Sequence, residues 1–174
     1  MQLLFVCTGN ICRSPTAERL AAQFASERRL VGLRFSSAGI RAVIGHPIHP
    51  GSAAVLQVLG GDPSAFQARQ LTSRLASAAD LILGMTKQHR EAVLEIAPQK
   101  LHRTFTLAEA AQIALLTNAR TVEDLSNGRA FIPAEQVPDI MDPIGRARSV
   151  FDAVGAKIAE LLPPVLDVCE RSLG

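Results

Sequence analysis

Leu3 to Val6 form a continuous apolar run near the start of the chain, the pattern of a strand buried on both faces of a parallel sheet. Beyond it Ala17, Leu20, Ala21 and Phe24 repeat at the spacing of one helical face. Pro15 suits a first-turn position there, and Glu18, Arg19 and Arg28 are left to face water. Leu33 to Ser37 read as a second strand before Gly39, and a helix is predicted from Gly51 to Leu59, stopping at Gly60 and Gly61. Asp80 to Leu83 give a third buried strand. Thr86 caps a helix through Ile96 that ends before Pro98, Leu101 to Phe105 supply a fourth strand, and Thr106 begins another helix.

The stretch from Thr117 to Pro138 loses the apolar period, carries Asn118, Asn127, Gly128 and Pro133, and is predicted as a long loop or lid. The last helix is predicted from Arg146 to Leu162, where Val150, Phe151, Val154, Ile158 and Leu161 recur before Pro163 and Pro164 stop it. Strands alternating with helices imply an α/β domain with a mostly parallel sheet and right-handed crossovers. Ligands in such sheets bind beyond the carboxyl ends of the strands, and the first strand ends at Cys7.

Length and composition narrow the picture. At 174 residues one domain is expected. Residues are 48% hydrophobic, yet charges interrupt every apolar stretch before the roughly 18 residues a membrane helix needs. Met1 to Val6 carry no basic region or small-residue cleavage site, so a secretory signal is not expected and the cytoplasm is the expected location. The net charge of +2 comes from scattered residues, which leaves no nucleic-acid footprint. Cys7, Cys12 and Cys169 make neither a disulfide framework nor a zinc site, and fit free thiols in a reducing compartment. His46 and His49, beside Pro47 and Pro50, read as surface-loop histidines rather than metal ligands.

From Cys7 the chain runs Cys7-Thr8-Gly9-Asn10-Ile11-Cys12-Arg13-Ser14-Pro15, a cysteine and an arginine five residues apart between a strand and a helix. A loop opening a helix points its amides at one centre, and the helix dipole adds positive potential, so a tetrahedral dianion is held there. Gly9 is expected to let the backbone come close. The planar fork of Arg13 grips two equatorial oxygens and favours a trigonal-bipyramidal transition state. The same positive surroundings favour a thiolate at Cys7, a ready nucleophile. Ser14 is placed to hydrogen-bond the sulfur and ease its departure, and Asn10 to brace the loop. A lone cysteine at a strand end is ordinarily a small core residue; the coincidence of spacing, glycine, serine and context points to function instead.

This string resembles the signature of the low-molecular-weight protein tyrosine phosphatase family, bacterial branch. Ser37-Ala38-Gly39, Gly45-His46-Pro47 to Pro50, Asp80 to Leu83 with Met85, and Asp142-Pro143 are similar to further landmarks in the family order. The resemblance implies a single domain with a four-stranded parallel sheet flanked by helices on both faces. It also implies metal-free hydrolysis of phosphotyrosine in proteins through a phosphocysteine intermediate, with no cofactor. The partner is a phosphorylated protein, and the chain itself a monomer or weak dimer. Cys7, Arg13 and Asp142 become catalytic, with Thr8, Gly9, Asn10, Ile11, Cys12 and Ser14 binding substrate. Asp142 is the implied general acid, though an aspartate just before a helix ordinarily serves as a cap, and Asp139 lies nearby.

The pattern departs from the phosphotyrosine members at the pocket walls. Arg41, Ala42 and Val43, and later Ile144-Gly145, stand where aromatic rings are usual, and the chain has no Trp or Tyr. An arginine-phosphatase branch carries threonine where Ile11 stands, so Ile11 favours tyrosine, whereas Asp142-Pro143-Ile144-Gly145 leans toward arginine. Relay-type arsenate reduction needs a further cysteine pair, and Cys169 stands alone. A non-catalytic phosphate-binding module is the remaining alternative. Cys12, on the same loop as Cys7, is expected to capture an oxidised Cys7 as a disulfide.

Overall fold

The computed structural model describes residues 1–133 and 135–174. Its sheet has four parallel strands, β1 Gln2–Cys7, β2 Arg34–Gly39, β3 Leu81–Gly84 and β4 Thr104–Thr106, in the order β2-β1-β3-β4. β1 therefore pairs on both edges, and its side chains are covered on both faces. Leu3 and Phe5 join one core cluster, Leu4 and Val6 another, all essentially without exposure. The alternation of a strand splits one apolar run between two layers.

The first layer holds α1 Arg13–Glu27, α2 Pro50–Val58, α5 Leu107–Thr117 and α7 Arg148–Arg171, packed around Leu20, Leu56, Ile113 and Ile158. The second holds α3 Ser73–Ala78 and α4 Lys87–Ile96, which bring Ala76 and Val93 against Leu4, Val6 and Ile82. The chain leaves β1 toward β2 on one side and returns to β3 on the other. The carboxyl end of β1 thus lies at the point where strand order reverses, the usual crevice of an open α/β sheet.

Local chemistry explains the ends of these elements. Thr86 caps α4 as expected, accepting from the amide of His89, and Thr106 forms a reciprocal capping box with Glu109 at α5. The fourth strand is shorter than expected. Residues Pro98–Arg103 coil into a 3₁₀ turn, with Leu101 45% exposed, and only Thr104–Thr106 pair with β3.

Two further expectations give way. Within 117–138, predicted as loop or lid, α6 Val122–Gly128 starts from a box in which Thr121 and Asp124 satisfy each other's amides. It buries Val122 and Leu125 in the first-layer core. Only two buried apolar side chains mark that helix, too few to show as a period. The final helix is not stopped by Pro163 and Pro164 but runs through them to Arg171. Each interior proline costs about 3 kcal/mol. Leu162, Val165, Leu166 and Val168, at most 1% exposed, contribute roughly 1.5–3 kcal/mol each, which is enough to hold the helix together. α3, capped by Thr72, was not predicted from the sequence.

Candidate active site

β1 delivers Cys7 in register with Gly39 of β2, and the loop of residues 8–12 then turns into α1 at Arg13. The carbonyls of Cys7, Thr8, Gly9 and Ile11 point outward. Ile40 N donates to Cys7 O, Arg41 N to Thr8 O and Val43 N to Gly9 O, each at 2.9 Å, while His49 N donates to Ile11 O at 2.7 Å. The amides of residues 8–12, in contrast, donate to no protein acceptor among the described residues. With the carbonyls tied to the segment 40–49, the free N–H groups face the inside of the turn, the arrangement of an anion-binding nest at a helix start.

Side chains fix that shape. Asn10, fully buried with a left-handed φ of 55°, donates through Nδ2 to Ser14 Oγ at 2.9 Å and Ser37 Oγ at 2.8 Å, and its Oδ1 accepts from Arg69 N at 2.8 Å. Ser14 Oγ lies 2.9 Å from Cys7 Sγ. Ser37 donates in turn to Glu18, whose carboxyl is shifted above its ordinary range by burial. Glu18 therefore does not face water as the helical pattern predicts.

Gly9 is not the residue that permits close approach. A Cβ there would meet Ile11 and Val43 at an ordinary 3.5 Å. Gly39 is the tight position, where a Cβ would stand 2.5 Å from the Thr8 carbonyl oxygen and 3.0 Å from Asn10 N.

Arg13 is buried. Its Nη1 donates to the Ile140 carbonyl at 3.1 Å, its Nη2 pairs with Asp142, and its Nε, also buried, has no partner among the described residues. The structure thus brings Asp142 to the loop. It places Asp139 elsewhere: its carboxylate accepts from Lys87 N at 2.9 Å and anchors the segment to α4. Ile140 N donates to Met85 O at 2.9 Å, and Asp142 Oδ1 accepts from Ile144 N at 3.2 Å.

Cys12 packs with Val55 and Phe151, and burial raises its thiol pKa to about 11, against a hydrogen bond to Ser52 that lowers it. This environment disfavours the Cys12 thiolate that disulfide capture requires. Ile11 is half-buried and touches both this cluster and the main core. His46 is exposed, whereas His49 caps α2 through Nδ1 and stacks on Phe151 with centroids 5.0 Å apart.

His89 is the site neighbour the sequence did not single out. It is 1% exposed, with Nε2 3.0 Å from Thr8 Oγ1 and Nδ1 2.8 Å from Thr86 Oγ1. Its one sequence signal is its place three residues after the cap Thr86. Burial first, and the nearby Arg13 second, hold its pKa down at about 4.

The sequence pattern of the family described as low molecular weight phosphotyrosine protein phosphatase matches residues 2–172. A relative from Ralstonia nicotianae, named as a probable low molecular weight protein-tyrosine-phosphatase EpsP, is 41% identical over 110 residues, 63% of this chain and 72% of the relative. The solved low molecular weight protein tyrosine phosphatase from T. tengcongensis superposes with a TM-score of 0.78 at 26% identity, over 96% of this chain and 98% of that one. The YwlE arginine phosphatase from Geobacillus stearothermophilus superposes with a TM-score of 0.72 at 28% identity, over 94% and 89% of the two chains.

Proposed function

Because the chain belongs to the low molecular weight phosphotyrosine protein phosphatase family, we propose that it hydrolyses phosphotyrosine in proteins through a phosphocysteine intermediate formed on Cys7. The observation that carries this reading is the turn of residues 8–12, whose Thr8, Gly9 and Ile11 carbonyls are tied outward while its amides and the buried Nε of Arg13 lack protein partners among the described residues. A buried donor left unmet costs about 1–3 kcal/mol. The oxygens of a phosphoryl group satisfy several such donors at once.

In the first step the Cys7 thiolate attacks phosphorus and the ester P–O bond breaks. Asp142 gives its proton to the departing phenolate oxygen, and Arg13 holds two equatorial oxygens. In the second step Asp142 takes a proton from water, whose oxygen attacks the phosphocysteine. The S–P bond breaks, Ser14 steadies the returning thiolate, and phosphate leaves. The pairing of Asp142 with Arg13 supports this assignment, since it puts the carboxyl beside the guanidinium that takes the phosphoryl group.

The same reading makes a phosphorylated protein the partner, requires no metal or cofactor, and takes the chain as a monomer or weak dimer in the cytoplasm. No helix of the described residues is long and apolar enough to cross a membrane.

Protein-arginine phosphatase activity is the second reading. It is favoured by the rim: Val43, Ile44, Met141 and Ile144 are exposed there and offer no ring for a phenyl group to stack on. Ile11, half-buried beside Gly9, instead favours an aryl group, and this keeps tyrosine first.

Parallel turnover of phosphotyrosine and phosphoarginine peptides decides between them. Phosphotyrosine is expected to be the better substrate, with Cys7→Ser inactive on both and still able to bind phosphate. Preference for phosphoarginine would transfer the assignment, and turnover by Cys7→Ser would remove the mechanism.

A further inference from the structure

His89 takes no step in the proposed mechanism, yet it is buried and both its ring nitrogens are engaged. Two tautomers fit these contacts, and the cap on α4 bears on which is held. Thr86 Oγ1 accepts the His89 backbone N–H at 3.3 Å, so the Thr86 hydroxyl proton is available to Nδ1, 2.8 Å away. With the Thr86 hydroxyl donating to Nδ1, Nε2 carries the hydrogen and donates it to Thr8 Oγ1, 3.0 Å away. Having accepted there, the Thr8 hydroxyl keeps its own proton, for which no acceptor occurs among the described residues.

Thr8 directly follows Cys7, and its carbonyl is already fixed from the other side by Arg41 N. A histidine kept only for packing does not need this directed chain from the start of α4, through an imidazole, to the first residue of the anion-binding turn. We infer that His89 is a positioning residue that, as the neutral Nε2–H tautomer, holds Thr8 so that its hydroxyl proton is offered to an anion bound in the loop. The neutral form agrees with the burial of the ring and with the positive charge of Arg13 beside it.

The inference rests on the phosphate-binding reading of the loop, so its test is binding of inorganic phosphate by calorimetry rather than turnover. His89→Ala is expected to weaken phosphate binding about 3- to 10-fold, and Thr8→Val by a similar factor, the loss of one hydrogen bond. The double variant is expected to be no worse than either single one, because both remove the same interaction. His89→Gln, which keeps an N–H donor in similar reach, is expected to stay within about twofold of the unaltered protein. If His89→Ala does not fold, His89→Gln and Thr8→Val still decide.

Losses that multiply in the double variant, or a Thr8→Val protein that binds phosphate normally, would overturn the inference. So would a His89→Ala protein with lower thermal stability but unchanged phosphate affinity. Failure of the phosphatase reading looks different: the unaltered protein then binds phosphate but turns over no aryl phosphate.

Discussion

The two halves of the candidate site are built in opposite ways. In the turn from Cys7 to Ser14 the side chains of Cys7, Asn10, Cys12, Arg13 and Ser14 are buried, four carbonyls are tied to the segment 40–49, and Asn10, Ser14, Ser37 and Glu18 form one continuous hydrogen-bonded brace behind the sulfur. The segment carrying Asp142 is anchored at Asp139 and Ile140 but open beyond them. Asp142 keeps a side chain 46% exposed, Met141 and Ile144 are exposed, and Gly145 takes a left-handed φ of 72° with nothing near its missing Cβ. Binding a dianion by amides rewards a shape fixed in advance. An acid that first pairs with Arg13 and then reaches a leaving oxygen must be free to move. The contrast predicts that damage to the first half is read in phosphate affinity and stability, and damage to the second in kcat.

Short of losing the nucleophile, the largest effect should come from the acid. Asp142→Asn is expected to slow aryl phosphates with poor leaving groups by roughly 10²–10⁴-fold, and good leaving groups far less, with phosphate binding retained. Asp139→Asn only loosens the clamp on Lys87 N and should cost little. A comparison of kcat across leaving groups checks both; if the two variants exchanged behaviours, the roles of the aspartates would have to be exchanged too.

Two glycines divide the halves more finely. Gly39→Ala drives a methyl to 2.5 Å from the Thr8 carbonyl and should cost about 1–3 kcal/mol of stability together with phosphate affinity. Gly145→Ala meets no neighbour and carries only the strain of its positive φ, about 1 kcal/mol, so phosphate affinity should hold while kcat changes. Thermal melts with phosphate titrations would show whether the two lesions separate in this way.

The same contrast explains what could be read from the sequence. The phosphate loop is one contiguous string whose order is its geometry, so Cys7, Asn10, Arg13 and Ser14 were legible at once. Gly39 was visible as a glycine but not as the tight one, because its neighbour Thr8 lies across a strand pairing. His89 escaped because its link to Thr8 spans 81 positions. Secondary structure failed where local signals met tertiary packing: two prolines yielded to a buried helix face, and α6 carried too few apolar residues to announce itself. Asp142 was assigned by resemblance, and only the fold brought it to Arg13.

The smallest effect is expected at the far end of the brace. Burial raises the pKa of Glu18 in the folded chain above its ordinary value of 4.5, with the Ser37 hydroxyl opposing this shift. Between the unfolded and the folded value the folded protein holds a proton there that the unfolded chain has released, so this contribution to stability is fully present below about pH 4.5 and is lost as pH rises through the folded value. Above the folded value the brace carries a carboxylate buried at some cost. Glu18→Gln keeps an acceptor for Ser37 and removes that charge, so it should raise the melting temperature at pH 7 by a few degrees at most. The gain should shrink on acidification and vanish below about pH 4.5, the unfolded value. Melting curves of both proteins between pH 4 and 8 make the comparison. A gain that did not depend on pH would mean that Glu18 acts by shape alone, and a loss at pH 7 would mean that its negative charge, held near Arg19 and Arg69, supports the brace.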